Sequence, residues 1–408
     1  MKRSTLVAFA ILVLLVGVTY WLERDDGSAA DVERVFDVSE DEIERVEIRR
    51  SGTEPTVIEK EGGNFRIVAP VDAATDQREV DLVLSNLATM TVVRSFTRDD
   101  DTDMAEYDLD TPELEVVFVT ANGTENAIRF GKDTLTPSNQ YAERAGDVDV
   151  LVVATHLAGN LDKSAWDLRD KAVFHLPEDA EPERVTVHYG DETIELADNE
   201  GVWMTAAGPR ARIDRFAVTG MVARFRRAEM LALADDGADI GVDSPTRRLE
   251  VAFEGDIDPM VLEIGNKNNV DYFARVPAQE QAFLIEGGLV DELLESAGQW
   301  WSKKLLHHAT TETTVLKIAT SDDDRSLDRD EAQNFLRALS DATAEEVFPR
   351  VVAGDPAYVI TVTTDDSEDE ISVRLAEGLV YASRKNEDVT LRLSPEDWTA
   401  IRVELDAP

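Results

Sequence analysis

Apolar and polar residues alternate along most of the chain, and at regular places the apolar residues recur at a helical spacing instead. Strict alternation predicts strands, whereas apolar positions three or four residues apart predict helices. The first pass through these patterns predicts a hairpin, a helix, a meander of strands and a closing helix, at residues 46–67, 76–88, 114–152 and 157–161. Two adjacent glycines mark the turn of the hairpin.

The same landmarks return later in the chain. Pro245 follows Pro112 after 133 residues, and Gly265 follows Gly131 after 134 residues. Agreement within one residue indicates an internal repeat. The second pass again predicts a helix after the opening strands, over residues 216–225.

A third, shorter pass begins at residues 315–318, lacks the early hairpin and ends in a helix that starts at Pro395. Alternating strands bury one face of a sheet, and helices cover that face. We therefore expect an α+β fold with an N-terminal transmembrane helix followed by repeated modules of antiparallel sheet with one or two covering helices. The predicted segments are a transmembrane anchor at 1–22, a stalk at 23–40, a first module at 41–175, a second module at 183–306 and a third, shorter module at 313–408.

The anchor is predicted from an uncharged run at residues 4–22 that follows Lys2 and Arg3. As a helix the run would span roughly 28 Å, which matches the hydrocarbon core of a bilayer. The positive-inside rule keeps Lys2 and Arg3 in the cytoplasm. We expect a single-pass protein of the inner (cytoplasmic) membrane with its C-terminal ectodomain in the periplasm or extracytoplasmic space. The alternative is a cleaved signal peptide, for which residues 28–30 offer a weak site.

Composition excludes several classes of function. The 408 residues include 84 acidic and 41 basic side chains, five histidines and no cysteine, and the formal net charge is −43. Disulfides and cysteine-based zinc sites are therefore impossible. Binding to nucleic acid is not expected, because it requires an excess of basic residues. The acidity has two interpretations, which are general solubility, including salt adaptation, and repulsion from an anionic membrane surface.

We predict no catalytic residue, no cofactor site and no metal site, because the chain has no motif of a known nucleophile, phosphate loop or dinucleotide site. The acidic runs 99–103 and 322–330 contain ligand types that suit calcium, but the second lacks the glycine and the terminal glutamate of a calcium loop. Solvated acidic loops are the favoured interpretation. His307 and His308 are interpreted as a polar linker, and Trp166, Trp300 and Trp301 as packing residues between modules rather than sugar platforms.

Six arginines stand together in one short window that contains a single acidic residue, so the window has a net charge of +5. They are Arg210, Arg212, Arg215, Arg224, Arg226 and Arg227. One hypothesis is a docking patch for an anionic partner or glycan, because guanidinium groups pair well with carboxylates and phosphates. The favoured alternative is pairing with acidic residues of the adjacent modules.

The chain resembles the bacterial family catalogued as domain of unknown function 4340. The resemblance rests on the single N-terminal span, the glycine turn at 62–70 and the segments 80–87, 107–112, 128–131, 140–142 and 166–171. It implies no catalytic residues. It does imply a context, because such proteins are often encoded beside an ABC transporter of the gliding-motility type and its auxiliary extracytoplasmic subunit.

We therefore expect a periplasmic binding or scaffold protein, held in the membrane by its N-terminal helix, that serves as an accessory of an ABC transport system rather than as an enzyme. Its expected partners are the ABC permease and the auxiliary subunit. Two alternatives stay open. A carboxylate-based envelope enzyme acting on glycans would require a cleft with two close acids, one of them with a raised pKa. A ligand-binding module would require a sizeable apolar pocket.

Overall fold

The computed structural model of the protein describes residues 33–99, 102–199, 201–235, 239–277, 279, 281–293, 295–307, 312–320, 323–365 and 367–405. The predicted anchor at 1–22 and the first ten residues of the predicted stalk lie outside these ranges. Within them, no helix has the length and apolar character needed to cross a membrane.

The α+β class is confirmed, since the described residues form three antiparallel sheets and seven α-helices. The chain divides into two compact units, which are described separately. The first unit ends at Asp170 and contains one sheet; the second begins at Lys171 and contains the other two. The predicted boundaries of the three modules stay predictions.

The first unit contains a nine-stranded sheet with helices on it. Its strands are β1 (Ile43–Arg50), β2 (Thr56–Glu61), β3 (Asn64–Ala69), β4 (Ala73–Ala74), β5 (Arg94–Thr97), β6 (Leu114–Thr120), β7 (Glu125–Asp133), β8 (Asn139–Arg144) and β9 (Asp149–Ala154). They lie in the order β4-β3-β2-β1-β6-β7-β8-β9-β5. The helices are α1 (Gln77–Thr89), α2 (Thr155–Leu161) and α3 (Ala165–Leu168), with single 3-10 turns at Glu40–Glu42 and Met104–Tyr107.

The second unit begins with an eight-stranded sheet. Its strands are β10 (Pro182–Tyr189), β11 (Glu192–Asn199), β12 (Val202–Thr205), β13 (Ala232–Leu233), β14 (Arg247–Phe253), β15 (Met260–Asn268), β16 (Asp271–Arg275) and β17 (Phe283–Ile285). They lie in the order β12-β11-β10-β14-β15-β16-β17-β13. The helices are α4 (Arg215–Arg226) and α5 (Gly287–Asp291), followed by a 3-10 turn at Ala297–Trp300.

A seven-stranded sheet completes the second unit. Its strands are β18 (Thr313–Ala319), β19 (Asp324–Asp328), β20 (Glu346–Phe348), β21 (Tyr358–Thr364), β22 (Glu368–Ala376), β23 (Leu379–Arg384) and β24 (Thr390–Arg392). They lie in the order β19-β18-β21-β22-β23-β24-β20. The helices are α6 (Gln333–Asp341) and α7 (Pro395–Leu405).

All three sheets follow one topology. In each, the first strand lies between its hairpin partner and the first strand of the meander, and the strand after the first helix joins the far edge of the meander. The helix that follows the opening strands is α1, α4 or α6, and the closing helix is α2, α5 or α7. The repeated landmarks of the sequence therefore correspond to repeated structure.

The third sheet contains a strand that the sequence did not predict, β19, in the place that β2 and β11 take in the first two sheets. No described strand takes the place of β3 or β12, the second strand of the hairpin with the glycine turn. Strand β18 pairs with β19, and Leu316 lies opposite Leu327. The sequence of β19 hides the strand because it is rich in aspartate and serine, which have low strand propensity. At the edge of the sheet the strand needs only weak alternation, and only Arg325 and Leu327 are partly buried.

The covering helices bury the faces that their periodicity predicts. Helix α1 is capped by Asp76, whose side chain accepts a hydrogen bond from the Arg78 amide at 3.0 Å. It buries Val80, Leu84 and Leu87 against the sheet. Burial of each such side chain contributes about 1.5–3 kcal/mol, so packing rather than helix propensity holds these helices in place.

The repeated glycines mark a close approach of two backbones. A side chain at Gly131 would place its Cβ 2.1 Å from the carbonyl oxygen of Tyr107, and one at Gly265 would lie 2.0 Å from that of Ile240. These distances are far below van der Waals contact. The glycine and the loop that ends in the repeated proline therefore form one structural feature, present in both of the first two sheets.

Candidate functional site

Helix α4 carries most of the arginine cluster and is fixed by its buried face. The Asp214 side chain caps the helix by accepting a hydrogen bond from the Phe216 amide at 2.9 Å. Val218, Met221, Val222 and Phe225 are buried beneath the helix. The opposite face is thereby turned outward.

That outward face combines an aromatic ring, small residues and arginines. Phe216, Gly220, Ala223 and Arg227 follow one another at helical spacing, and all are exposed, with Arg224 beside them. Phe216 is 85% exposed. A Cβ added at Gly220 would meet nothing within 4 Å. We call these five residues the α4 outer face.

The structure separates the six predicted arginines into two groups. Arg210, Arg215 and Arg227 are exposed, and their side chains make no ion pair with any residue in the described ranges. Arg224 is also exposed but pairs with Glu292. These four can meet a partner, and the docking patch stays a prediction for them.

The other two arginines serve the interior of the second unit. Arg226 donates to the carbonyl oxygens of Glu178, at 3.1 Å, and of Ala180. Arg212 enters a buried ion-pair cluster together with Asp369, Glu387 and Arg384. A docking role is therefore not open to Arg212 in this fold.

The buried cluster joins segments that are far apart in sequence. The Arg212 guanidinium forks onto the Asp369 carboxylate, with Nη1 3.3 Å from Oδ2. Its Nε lies 3.2 Å from Glu387 Oε1, but without hydrogen-bond geometry, so this contact is purely electrostatic. Glu387 Oε2 in turn accepts hydrogen bonds from the Arg212 amide at 3.2 Å and from Arg384 Nη2 at 2.7 Å.

Arg384 extends the cluster to the segment that leads into the third sheet. Its guanidinium donates to the carbonyl oxygens of Ser302 and Lys304 and lies 3.1 Å from His307 Nε2. Burial lowers the pKa of Arg384, and attraction to Glu387 opposes that effect. Two arginines and two carboxylates balance in charge, which is the arrangement that a buried cluster requires.

Backbone hydrogen bonds run alongside these side chains. The Ser302 amide donates to the Arg212 carbonyl, and the Asp388 amide donates to the Arg210 carbonyl, at 2.8 and 2.7 Å. The Arg210 amide returns a bond to the Asp388 side chain. The segment before α4 is thus hydrogen-bonded both to Ser302, in the segment that leads into the third sheet, and to Asp388, in the turn after β23. These bonds explain why the two sheets form one compact unit.

Sequence reasoning missed three of the four cluster residues, although a signal was present. Asp369 alternates with the buried Ile371 and Val373 along β22, and Arg384 alternates with Val380 and Ala382 along β23. Period-2 alternation therefore placed both charges on the buried face. Glu387 lies in a turn, where periodicity gives no such signal.

Described residues of the acidic runs accept local hydrogen bonds from the backbone. Asp103 caps the 3-10 turn at Met104–Tyr107, and Asp328 accepts hydrogen bonds from the amides of Asp330 and Glu331. Asp100, Asp101 and Asp322 lie outside the described residues, as does His308. Within the described ranges, no group of three or more histidines and acids is arranged to hold a metal ion.

Several carboxyl groups have pKa values displaced from the ordinary range, and each displacement is downward. They are Glu42, Asp72, Glu115, Asp147 and Asp291. The causes are hydrogen bonds, chiefly from the Ser39 amide to Glu42, from the Tyr272 hydroxyl to Asp291, and from arginine side chains to the other three. The enzyme alternative requires a raised pKa, and these five groups do not supply it.

Comparison with known families adds one finding. The model of a family described as a domain of unknown function (DUF4340) matches residues 66–211 and again residues 203–358. The two matches follow one another along the chain, in agreement with the repeated topology. No curated protein and no solved structure matches the chain.

Proposed function

The chain belongs to the DUF4340 family, and from that premise we propose that it is a membrane-anchored, extracytoplasmic docking protein that serves as an accessory of an ABC transport system. The α4 outer face is the observation that supports docking. The N-terminal apolar run supports the anchor, and the gene context implied by the family resemblance supports an ABC permease and its auxiliary subunit as partners.

An exposed phenylalanine beside two exposed arginines, Arg224 and Arg227, has the composition of an interface hot spot. Aromatic and arginine residues are enriched in the energetic centres of interfaces, where the ring fills a pocket and the guanidinium groups pair with acids. The small residues Gly220 and Ala223 let another backbone approach the helix closely. The partner surface is therefore expected to be acidic, with an apolar recess for Phe216.

Because the rest of the chain is acidic, the α4 outer face determines the orientation in which an acidic partner binds. The formal net charge is −43, so most of the surface repels an acidic partner, whereas the α4 outer face attracts it. Charge complementarity of this kind fixes orientation and speeds association more than it adds affinity. A basic face on an otherwise acidic protein thus favours docking through that face.

Cross-linking and affinity purification from membranes test this proposal. The full-length protein is compared with a Phe216→Ala/Arg227→Glu variant and with a version lacking residues 1–22, and partners are identified by mass spectrometry. We expect an ABC permease and an auxiliary subunit with the full-length protein and at least tenfold less of both with the variant, because a hot-spot residue contributes about 2 kcal/mol or more.

Matched controls come from the corresponding helices of the other sheets. Leu82 on α1 is 53% exposed, and Arg337 on α6 is exposed. The Leu82→Ala/Arg337→Glu variant should retain the partners. Equal recovery with the α4 variant, or no membrane partner at all, would refute the proposal.

A further inference from the structure

The first unit contains an open cleft between the ends of its strands and the closing helix α2. Its volume is about 520 Å³. Leu114 and Phe130 form its apolar wall, and Arg50, Gln140 and Asp162 are its main polar groups. Volumes of this order are typical of small-molecule sites, in which an apolar wall is combined with a few convergent polar groups.

In the other two sheets, a longer side chain stands at the position that corresponds to Leu114. Leu114 lies opposite Phe130 in the register of the first sheet. Arg247 takes that position in the second sheet, opposite Ile264, and Tyr358 takes it in the third, opposite Val373. The three residues are therefore equivalent under the repeat.

Both equivalent side chains reach across to the closing helix. Arg247 donates from Nη1 to the Val290 carbonyl at 2.7 Å and stacks over the ring of Tyr189 with 4.9 Å between guanidinium and centroid. Tyr358 packs on Trp398, with the ring centroids 5.8 Å apart. Leu114 is shorter than either, so the first sheet leaves open the space that the protein fills in the second and third.

Gln140 provides a second, independent observation at this cleft. Only 5% of the residue is exposed, and its buried Nε2 has no hydrogen-bond partner among the described residues. The corresponding residue of the second sheet is Tyr272, because Ala142 and Ala274 occupy equivalent register positions. The Tyr272 hydroxyl donates to Asp291 at 2.6 Å. Gln140 therefore has an unused hydrogen-bonding capacity where its counterpart is satisfied.

The charges at the cleft favour a neutral ligand. Arg50 and Asp162 already form an ion pair. An anion would have to displace Asp162 and approach the exposed Glu113, and a cation would have to displace Arg50. Hydroxyl groups need displace neither, because a guanidinium has five donors and a carboxylate has several acceptor sites.

We propose that this cleft binds a neutral, hydroxyl-rich small molecule of monosaccharide size. Its hydroxyl groups meet the Gln140 amide, the Arg50 guanidinium and the Asp162 carboxylate. Its less polar face lies on the wall formed by Leu114 and Phe130. The site is independent of the α4 outer face and of the docking role proposed above.

Saturation-transfer NMR on the full chain, held in a detergent without sugar groups, tests the proposal with glucose and N-acetylglucosamine as probes. Glycine and arginine serve as charged comparison probes. Small ligands of this size bind weakly, so we expect saturable binding of at least one sugar with a Kd of about 1 mM. Replacement of Leu114 by tyrosine, which copies the third sheet, should abolish it, whereas Leu114→Met, which conserves volume, should leave the Kd within about threefold.

A second variant keeps the test decisive if tyrosine at position 114 prevents folding. Gln140→Leu removes the amide at nearly constant size and should weaken sugar binding by about tenfold, the effect of one lost hydrogen bond. The absence of saturable sugar binding would overturn the proposal. So would an unchanged Kd in a folded Leu114→Tyr or Gln140→Leu variant, or preferential binding of glycine or arginine.

Discussion

The Arg212 Nε atom lies 3.2 Å from Glu387 Oε1 although 175 residues separate the two in sequence. Arg212 belongs to the segment before α4, and Glu387 to the turn after β23. Their side chains are 16% and 2% exposed. The pair thus joins the second and third sheets in a place that water hardly reaches.

Removal of one partner from this cluster should destabilise the second unit strongly. Replacement of Glu387 by alanine leaves two buried arginines with a single carboxylate, and breaking a buried ion pair typically costs about 3–5 kcal/mol. Urea unfolding of the full chain, followed by circular dichroism and tryptophan fluorescence, measures the loss. Glu368→Ala is the control, because its side chain is 54% exposed and should contribute less than about 1 kcal/mol. Similar losses in the two variants would contradict the structural role of the cluster.

Replacement of glycine by alanine should have opposite effects on stability at Gly265, where two backbones approach closely, and at Gly220, where space is open. Gly265→Ala would place a methyl group 2.0 Å from the Ile240 carbonyl oxygen, so the loop must move and stability should fall by more than about 2 kcal/mol. Gly220→Ala has open space and lies inside a helix, so it should stabilise the second unit by about 0.5–1 kcal/mol. Unfolding midpoints of the two variants decide the matter. A neutral Gly265→Ala would show that the loop is freer than the structure indicates.

Glu115 gives the first unit a pH dependence of known sign. Burial alone would raise the pKa of Glu115, but hydrogen bonds from Arg129 at 2.8 Å and from Arg49 at 3.0 Å lower it overall. A folded pKa below the unfolded value stabilises the fold above the unfolded pKa, and this contribution disappears as the pH falls through the folded pKa.

The test compares Glu115→Gln with the unaltered protein between about pH 7 and pH 3, on either side of the ordinary glutamate pKa. The variant should be less stable at neutral pH, and the difference should shrink as the pH falls through the folded pKa, so the two curves converge toward the acidic end. Glu125→Gln is the control, because Glu125 is exposed and makes no ion pair within the described residues. Its curve should run parallel to that of the unaltered protein. Parallel curves for Glu115→Gln would contradict the prediction.

Periodicity predicted most strands and helices correctly because each sheet buries one face and each helix one stripe. It failed at β19, where an edge position tolerates a polar sequence. The sequence showed the cluster of six arginines, but it did not show which of them are buried and which are exposed. Arg212 is buried through contacts with Asp369 and Glu387, which are far away in the chain.

The cleft could not be predicted from the sequence for a related reason. Leu114, Arg247 and Tyr358 each lie two residues after a proline, so the repeat aligns them in sequence, but the alignment does not show where their side chains lie. Only the strand register and the contacts show that Arg247 and Tyr358 fill a space that Leu114 leaves open. The unsatisfied amide of Gln140 likewise becomes apparent only when its neighbours are known.

The excess of acidic residues predicts that salt stabilises the protein. The formal net charge is −43, so the folded chain repels itself, and salt screens this repulsion over distances that fall from about 30 Å at 0.01 M to about 3 Å at 1 M. Salt also weakens ion pairs, but exposed pairs such as Lys385–Glu368 contribute only about 0–1 kcal/mol each. We expect the repulsion to dominate, and the unfolding temperature to rise between about 0.01 M and 1 M sodium chloride at neutral pH.

Near pH 4 about half of the carboxyl groups are protonated, so the same addition of salt should raise the unfolding temperature much less. A fall in unfolding temperature with salt at neutral pH would show that the ion pairs outweigh the net charge.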